Sequence, residues 1–183
     1  MKTLLIIATG GFIFSLTAHL ASFLGIDPQA VFPPIWLLHI GIFVVWIPTV
    51  FLLRKIFRKT GREGFWKVAV RNAPFWMQAL CIFFLLYTFF NFTNNLFALN
   101  QEGVPTIVDG KKVLQSHGEV LKELTDEEFF RYQAYTFRAS SGHWMVFYIV
   151  SMTILLSHRR SKEKAQVQIS PDLDDTTHEE VKP

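Results

Sequence analysis

Four long, uncharged apolar blocks dominate the hydrophobic pattern of this chain. They lie at about 3–26, 33–53, 73–99 and 142–157. The first holds about 24 residues, or ~36 Å of helix at 1.5 Å per residue, which exceeds the ~30 Å hydrocarbon core of a bilayer. The fourth has only ~16 residues and is expected to gain length from the helix that leads into it. The pattern predicts an all-α membrane protein, a four-helix antiparallel transmembrane bundle over residues 1–158.

Two local features affect how the first two blocks are interpreted. Lys2 supplies the basic start of a secretory signal peptide. The apolar stretch after it is longer than a usual signal core, however, and no A-x-A-like cleavage site closes it, so we expect a retained helix. In the second block, Pro48 predicts a kink because it removes a helix hydrogen bond.

The basic residues predict the orientation of the bundle. They cluster after the second and fourth blocks as Arg54, Lys55, Arg58, Lys59, Arg62, Lys67, Arg71, Arg159, Arg160, Lys162 and Lys164. The connection at 27–32 has no Lys or Arg. By the positive-inside rule, both clusters and both termini are cytoplasmic, most simply in a cell (inner) membrane. A formal net charge of +3 is too small to indicate nucleic-acid binding.

The segment between the third and fourth blocks, about 100–141, is therefore expected to be extracytoplasmic. Val104–Val108 and Lys111–Gln115 flank Asp109-Gly110, which predicts a small β-hairpin with a type I′ turn. A two-stranded hairpin is marginal alone and must lean on the bundle, the following helix or a partner. Thr125 and Glu128 form a capping box, so a helix should begin there. We expect this helix to loosen at 140–142 before the fourth span.

Two cytoplasmic segments have their own composition. Residues 159–183 turn polar and lack aromatic side chains, which predicts a disordered tail. The connection at 54–72 places Phe and Trp between its cations. That connection is either a loop that only sets the topology or an amphipathic helix lying on anionic headgroups.

Polar residues inside the spans are the candidate functional residues, because they cost free energy in a bilayer. His19, His39, Asn91 and His143 lie in four different spans. Counting along each helix from its outer end places all four at a similar depth in the outer half of the bundle. This shared level is the sharpest functional signal in the sequence.

Helical spacing also predicts which faces turn inward. The first span has a small-and-polar stripe, the third a polar stripe and the second an aromatic one. Small residues allow membrane helices to approach closely, and polar residues then bond between them. The stripes are Ala8, Gly11, Ser15, His19 and Ser22; Gln78, Cys81, Thr88, Asn91 and Asn95; and Trp36, His39, Phe43 and Trp46.

Several roles remain open for these histidines. In the simplest, they are interhelical hydrogen-bond partners. His19 and His39 could instead be axial ligands of a b-type haem. With His143 they could form a copper or zinc site, for which His117 is a more distant candidate. Quinone binding or proton relay would use His19 and His39 with Asn91.

Other classes of site find less support. Cys81 is the single cysteine, so an internal disulfide and a cysteine zinc site are excluded. No haem-attachment, metalloprotease or phosphate-binding motif is present. The spans hold no Asp, Glu, Lys or Arg, which argues against an ion pathway, and four spans are few for a transporter unless several chains assemble.

Two functional hypotheses follow. The first is a non-enzymatic accessory, assembly or interaction subunit, recognised by a protein partner through its extracytoplasmic cap. The second is a histidine-based redox or metal-handling protein that holds haem b, quinone, or copper or zinc in the outer half of the bundle. Both imply contact with the lipid bilayer, and both allow a homo-oligomer.

Overall fold

The computed structural model describes residues 1–175, with the backbone alone at 96, 98–102 and 168–175. The polypeptide folds into long helices and one small antiparallel sheet. The elements, in chain order, are α1 (Lys2–Phe23), α2 (Pro28–Val31), a 3₁₀ turn (Pro33–Trp36), α3 (Leu37–Trp66), a π turn (Lys67–Arg71), α4 (Phe75–Glu102), β1 (Val104–Val108), β2 (Lys111–Ser116), β3 (Glu119–Glu123) and α5 (Asp126–Asp175).

Four helical stretches are long and apolar enough to cross a membrane. Their bounds are Lys2–Phe23, Pro33–Arg71, Phe75–Asn95 and Asp126–Val167. Each contains one of the apolar blocks or most of it, so the predicted number and order of spans agree with the helices that form. The second and fourth stretches are much longer than predicted, because the polar residues flanking their apolar parts continue the helix.

The fourth span and the segment before it form one uninterrupted helix. The predicted loosening at 140–142 is wrong, since α5 runs from Asp126 through this region to Asp175. Ser140 keeps its hydroxyl within the helix by donating to the carbonyl of Phe137 at 3.0 Å. Gly142 brings the helix close to α4, where Thr88 donates to the Gly142 carbonyl at 3.1 Å. Bonding of this kind favours unbroken helix in an apolar setting.

The helix α5 also continues into the predicted disordered tail. Residues 159–175 are helical, and Arg159 donates to Glu163 one turn later at 2.8 Å. Pairs at this spacing stabilise an exposed helix. The rest of the tail prediction, at 176–183, lies outside the described residues.

The core lies where α5 packs between the other helices. Its largest fully buried side chains belong to α5 and include Phe137, Trp144, Met145 and Tyr148. Helix α1 turns Ala8, Gly11, Ser15, Ala18, His19 and Ser22 toward this core. The predicted small-and-polar stripe of the first span is thus confirmed as its buried face. At Gly11 the helices approach so closely that an added Cβ would overlap the Tyr148 ring.

Helix α3 has a break that the sequence did not predict. Its dihedral angles leave the helical region at Gly61, where φ is 63°. Pro48 lies inside the helix with helical dihedral angles, and the kink predicted there stays a prediction. A positive φ favours glycine, which has no Cβ to clash. The connection after the second span is therefore helical on both sides of a bend. Its π turn contacts α5, where Ser157 donates to the Val68 carbonyl at 2.8 Å.

The cations gather at one end of the bundle. Lys55 and Lys59 line a pocket with Met1, His158 and Lys162, which brings the chain start together with the segments after the second and fourth spans. We call this the basic end. The β-strands lie between α4 and α5 at the other end, which we call the sheet end. The two ends differ in charge as the sequence predicts.

The predicted hairpin is present and belongs to a three-stranded sheet in the order β1–β2–β3. Asp109 and Gly110 have φ of 50° and 76°, as a type I′ turn requires. His117 and Gly118 repeat this conformation at 49° and 89° and make a second turn, which the sequence analysis missed. The third strand supplies part of the support that a lone hairpin lacks.

The sheet is docked on the start of α5. Leu114, Leu124 and Phe129 form a small buried cluster between them. Lys112 pairs with Asp126 at 3.0 Å, and Lys122 pairs with Glu128 at 2.5 Å. The hydrogen bond with Glu128 raises the pKa of Lys122.

The capping box holds the first turn of α5 in place. Glu128 donates its backbone N–H to the Thr125 hydroxyl at 3.2 Å, and Thr125 donates its own N–H to Glu128 at 3.0 Å. The capping-box prediction is confirmed. The strands and the helix thus form one folded cap.

Candidate functional site at the sheet end

One segment of α5, residues 138–148, exchanges hydrogen bonds with all three other long helices. From α4, Thr88 and Asn91 donate to its backbone carbonyls. Ser141 contacts His19 of α1, which in turn contacts Tyr87 of α4. Toward α3, Tyr148 donates to the Leu38 carbonyl, and His143 and Trp144 contact His39. The four span residues predicted to share one level do lie around this one segment. The structure divides them into separate groups, however, which the sequence did not show.

His19 lies at the centre of the first group. Its ring is 1% exposed, with Nδ1 2.7 Å from the Ser141 hydroxyl and Nε2 2.5 Å from the Tyr87 hydroxyl. Hydroxyls both donate and accept, so either neutral tautomer of the imidazole satisfies both contacts. A ligand role for His19 would therefore require the loss of one of these bonds.

The asparagines of α4 form a second group beside His19. Asn91 donates to the carbonyl of Arg138 at 3.0 Å, and Asn95 donates to the carbonyl of Asn91 at 2.6 Å. Both side chains are buried. Asn91 thus ties α4 to α5, and its position agrees with the predicted inward stripe of the third span.

The third group joins α3 to α5 through two histidines. His143 Nε2 lies 3.3 Å from His39 Nδ1, and the indole N–H of Trp144 donates to the same Nδ1 at 3.2 Å. An indole N–H only donates, so His39 Nδ1 accepts and its neutral ring carries the proton on Nε2. The two rings meet edge to face with centroids 5.4 Å apart.

Aromatic side chains surround this histidine pair, but only in part as the sequence analysis predicted. Trp36 packs edge-on against Trp144, and Phe43 packs against His39. Trp36 is nevertheless 46% exposed and Phe43 is 52% exposed. The prediction that this stripe turns inward is therefore confirmed only in part. Trp36, His39 and Trp46 contact rings of α5. The buried side chains of this span are instead Ile35 in the 3₁₀ turn and Ile42, Val45, Thr49 and Ile56 in α3.

The structure therefore does not bring His19, His39 and His143 together as one ligand set. Within residues 1–175 there is no group of three or more His, Cys, Asp or Glu side chains that could hold a metal ion. His117, the more distant candidate, lies in the second turn of the sheet. The haem, quinone and metal hypotheses remain predictions, and among the described histidines His39 and His143 are the pair within direct reach of each other.

Sequence reasoning missed several partners at this site. Tyr87 lies four residues before Asn91 and thus on the same helix face, a signal that was available. Ser141 was interpreted as a helix-loosening residue, although small polar residues in membrane helices commonly bond between helices. Arg138 lies one turn before Ser141 and thus on the same face of α5, which was a further available signal.

The site is a set of hydrogen bonds between helices that includes one partly buried pair of imidazole rings, His39 and His143. Ser15 and Ser151 have buried hydroxyls without a partner among the described atoms. Ser15 lies one turn before His19 on the buried face of α1, and Ser151 lies one turn after Tyr148 in α5. Comparison with known proteins adds no family to this picture, because no family model, curated protein or solved structure matches the chain.

Proposed function

We propose that this chain is a four-span integral membrane protein that acts as a non-enzymatic interaction subunit, recognised through the cap formed by β1–β3 and the start of α5. The observation that carries the proposal is the exposed edge strand β3. All five of its residues are exposed, Val120 by 49% and Leu121 by 52%. We further propose that the cap is extracytoplasmic and that both termini are cytoplasmic.

An exposed edge strand is a ready template for a partner strand. Its outer N–H and C=O groups are unpaired by any other strand in the described part of the chain, where the sheet order ends at β3. Proteins usually protect such edges with charge, and Glu119, Lys122 and Glu123 supply some of it here. Partner peptides bind such edges by main-chain hydrogen bonds, with side chains setting specificity.

The cap is held in place before any partner binds. Two ion pairs and the cluster of Leu114, Leu124 and Phe129 fix the sheet on α5. A preorganised surface loses less conformational freedom on binding than a mobile one. This supports recognition by the sheet more than a lid that opens and closes.

The bundle supports a non-enzymatic role. Both ring nitrogens of His19 and the Asn91 amide are used in bonds between helices. Each such bond is worth about 0.6–2 kcal/mol in a membrane protein. Four helices that carry small and polar contacts need no cofactor to hold them together.

The orientation is tested by cysteine accessibility. Cys81 is first replaced by Ala, and single cysteines are then placed at the exposed Lys111, next to the first turn, and at Lys162 beyond the fourth span. An impermeant maleimide on intact cells should label position 111 and leave position 162 unlabelled until the membrane is opened. The reverse pattern, or labelling at both positions, contradicts the proposed topology.

The interaction is tested by photocrosslinking in the native membrane. A photoreactive residue at Leu121 should give one discrete adduct, and Val120→Asp in the same chain should remove it by placing a charge in the contact. Ile107 is a matched control, since it is 60% exposed on the other edge strand of the same sheet. If Ile107 and Leu121 crosslink equally, or if neither crosslinks, β3 is not the recognition edge.

A second candidate function rests on the histidine pair. Two imidazole nitrogens that bind one tetrahedral metal at ~2.0–2.1 Å lie about 3.3 Å apart. His143 Nε2 and His39 Nδ1 have this separation of 3.3 Å. Binding would move the shared proton to His143 Nδ1, displace the Trp144 N–H, and need further ligands from water or a second chain.

Metal and haem binding are tested on the purified protein. If the second candidate is right, Zn²⁺ or Cu⁺ should bind by elemental analysis, and His39→Ala should abolish binding while His117→Ala leaves it unchanged. A Soret band that disappears in His39→Ala would indicate haem instead. Absence of both metal and a Soret band removes this candidate and leaves the interaction role.

A further inference from the structure

An open pocket of about 530 Å³ lies beside the sheet end, where the end of α1 meets α5. Arg131, Tyr135 and Arg138 line it from α5, and Ser22 and Phe23 line it from α1. The spacing of four and then three residues places the two arginines and the tyrosine on one face of α5. None of these side chains takes part in the exposed strand β3.

The two arginines have no carboxylate partner in the part of the chain that the structure describes. Its ion pairs join Lys111 to Glu123, Lys112 to Asp126, Lys122 to Glu128 and Arg159 to Glu163. Glu127 lies one turn before Arg131 but forms no ion pair within those residues. The pocket is thus a concentration of positive charge without a described counter-charge.

Arg138 is held in the pocket by aromatic rings rather than by an acid. Its guanidinium lies 4.4 Å from the centre of the Phe23 ring and 5.1 Å from that of Tyr135. Its Nε is buried and has no hydrogen-bond partner among the described atoms. A buried donor without an acceptor costs free energy, which an incoming acceptor would recover.

No group at the end of α1 accepts from Arg138 Nε among the described atoms. The Ala21 carbonyl accepts from Leu24 and Ile26, the Ser22 carbonyl accepts from Gly25, and the Ser22 hydroxyl donates to the carbonyl of His19 at 2.6 Å. The Nε donor is thus left for an external acceptor, and an anion is the acceptor that also balances the guanidinium charge.

We propose that this pocket binds a phosphate group, with Arg138 as the principal contact and Arg131 at its rim. A guanidinium presents a planar fork of donors that matches two phosphate oxygens, and aromatic rings on its flanks restrict its orientation. The pocket is lined by Phe23, where the candidate span Lys2–Phe23 ends, so a lipid headgroup at that end of the span would lie next to it. The phosphate therefore comes either from an anionic phospholipid or from a free phosphate ion.

Binding to the full chain in detergent tests the proposal. The probes are dihexanoyl phosphatidylglycerol, dihexanoylglycerol without phosphate, and inorganic phosphate, each titrated by calorimetry. The phosphatidylglycerol should bind the wild-type chain, and Arg138→Gln should weaken it at least tenfold. Arg160→Gln is the matched control, because it removes the same charge from an exposed position near the other end of α5.

The outcomes separate the two sources and can overturn the site. Binding of the phospholipid without competition from inorganic phosphate assigns a lipid headgroup, whereas phosphate that binds equally well assigns the free ion. Equal binding to wild type, Arg138→Gln and Arg160→Gln overturns the proposal, as does equal binding of dihexanoylglycerol. Arg138→Lys keeps the positive charge but lacks the planar donors of the guanidinium. Its affinity for the phosphatidylglycerol should lie between those of wild type and Arg138→Gln, provided that both variants unfold at the wild-type temperature. Loss of crosslinking at β3 would leave these results unaffected.

Discussion

Helix α5 meets its neighbours through two different kinds of surface. Against α1 it meets the small seam, formed by Ala8, Gly11, Ser15, Ala18, His19 and Ser22, all of which are buried. Against α3 it meets the aromatic seam, formed by Trp36, His39, Phe43 and Trp46, of which Trp36 and Phe43 are about half exposed. The small seam is buried, whereas the aromatic seam is exposed along one side.

The difference shows why the histidines do not have one common role. His19 is enclosed by the small seam, and both of its nitrogens have hydroxyl partners. His39 lies on the open seam, where its partners are another imidazole and an indole. A sequence gives the type of each residue and its depth along a helix. The size of the neighbouring side chains then decides whether the helices pack closely enough to bury a histidine ring.

The largest expected effect is at the closest point of the small seam. Gly11→Val should lower the free energy of unfolding by about 3 kcal/mol, because overpacking forces helices or rings to shift. The steric cause is overlap with the Tyr148 ring. Equilibrium unfolding in SDS measures the loss. Gly10→Val is the matched control, since an added Cβ at Gly10 meets nothing; equal losses for both variants would contradict close packing at Gly11.

A smaller loss is expected when His19 is removed. His19→Ala should cost about 2 kcal/mol, since it leaves the buried Ser141 hydroxyl and the Tyr87 hydroxyl without their partner. Tyr87→Phe removes one of the two bonds. In a double-mutant cycle the two changes should be strongly non-additive, because they share one contact. Simple additivity would show that the 2.5 Å contact contributes nothing.

The aromatic seam should tolerate more. His39→Ala should cost about 1 kcal/mol or less, since its ring is only partly buried and its contacts are long at 3.2 and 3.3 Å. The same SDS titration measures this. The emission of Trp144 should also change, because its indole loses an acceptor. A loss as large as that of His19→Ala would show that the two seams are energetically alike.

The smallest effect is expected on the outer side of the aromatic seam. Phe43→Leu should change stability by no more than about 0.5 kcal/mol, because the side chain is largely exposed and the replacement is still apolar. Ile42→Ala, one position along on the buried face, is the contrasting variant and should cost about 2 kcal/mol or more. Equal losses of stability for the two variants would contradict the orientation in which Ile42 is buried and Phe43 lies on the outer side of α3.

Much of the fold was predictable because the responsible signals are local. The number of helices follows from the length of uncharged blocks, the first turn from Asp109-Gly110, and the start of α5 from Thr125 and Glu128. The buried face of α1 was predictable as well, since small residues at three- and four-residue steps leave few alternatives for close packing.

The remaining features depend on contacts between distant segments. Strand β3 has no burial alternation, so its pattern carries little strand signal, and the His117-Gly118 turn is an uncommon one. The inward face of α3 was predicted only in part, because large aromatic side chains such as Phe43 suit a lipid-facing surface as well as a core. The partners of His19 come from α4 and α5, and no spacing within one helix predicts which hydroxyl reaches which nitrogen.

The length of α5 has a consequence for how this protein can vary. Its candidate membrane-spanning stretch from Asp126 to Val167 is 42 residues long, or about 63 Å at 1.5 Å per residue. Because this helix has no break between the cap and the candidate span, an inserted residue changes both the height and the facing of the sheet. One residue inserted near 139 would rotate the start of α5 by about 100° around its axis and strain the contacts between the sheet and α4, whereas seven or eleven would return it to within about 20° of its original facing. Related chains should therefore differ in length here mainly by such near-whole numbers of turns.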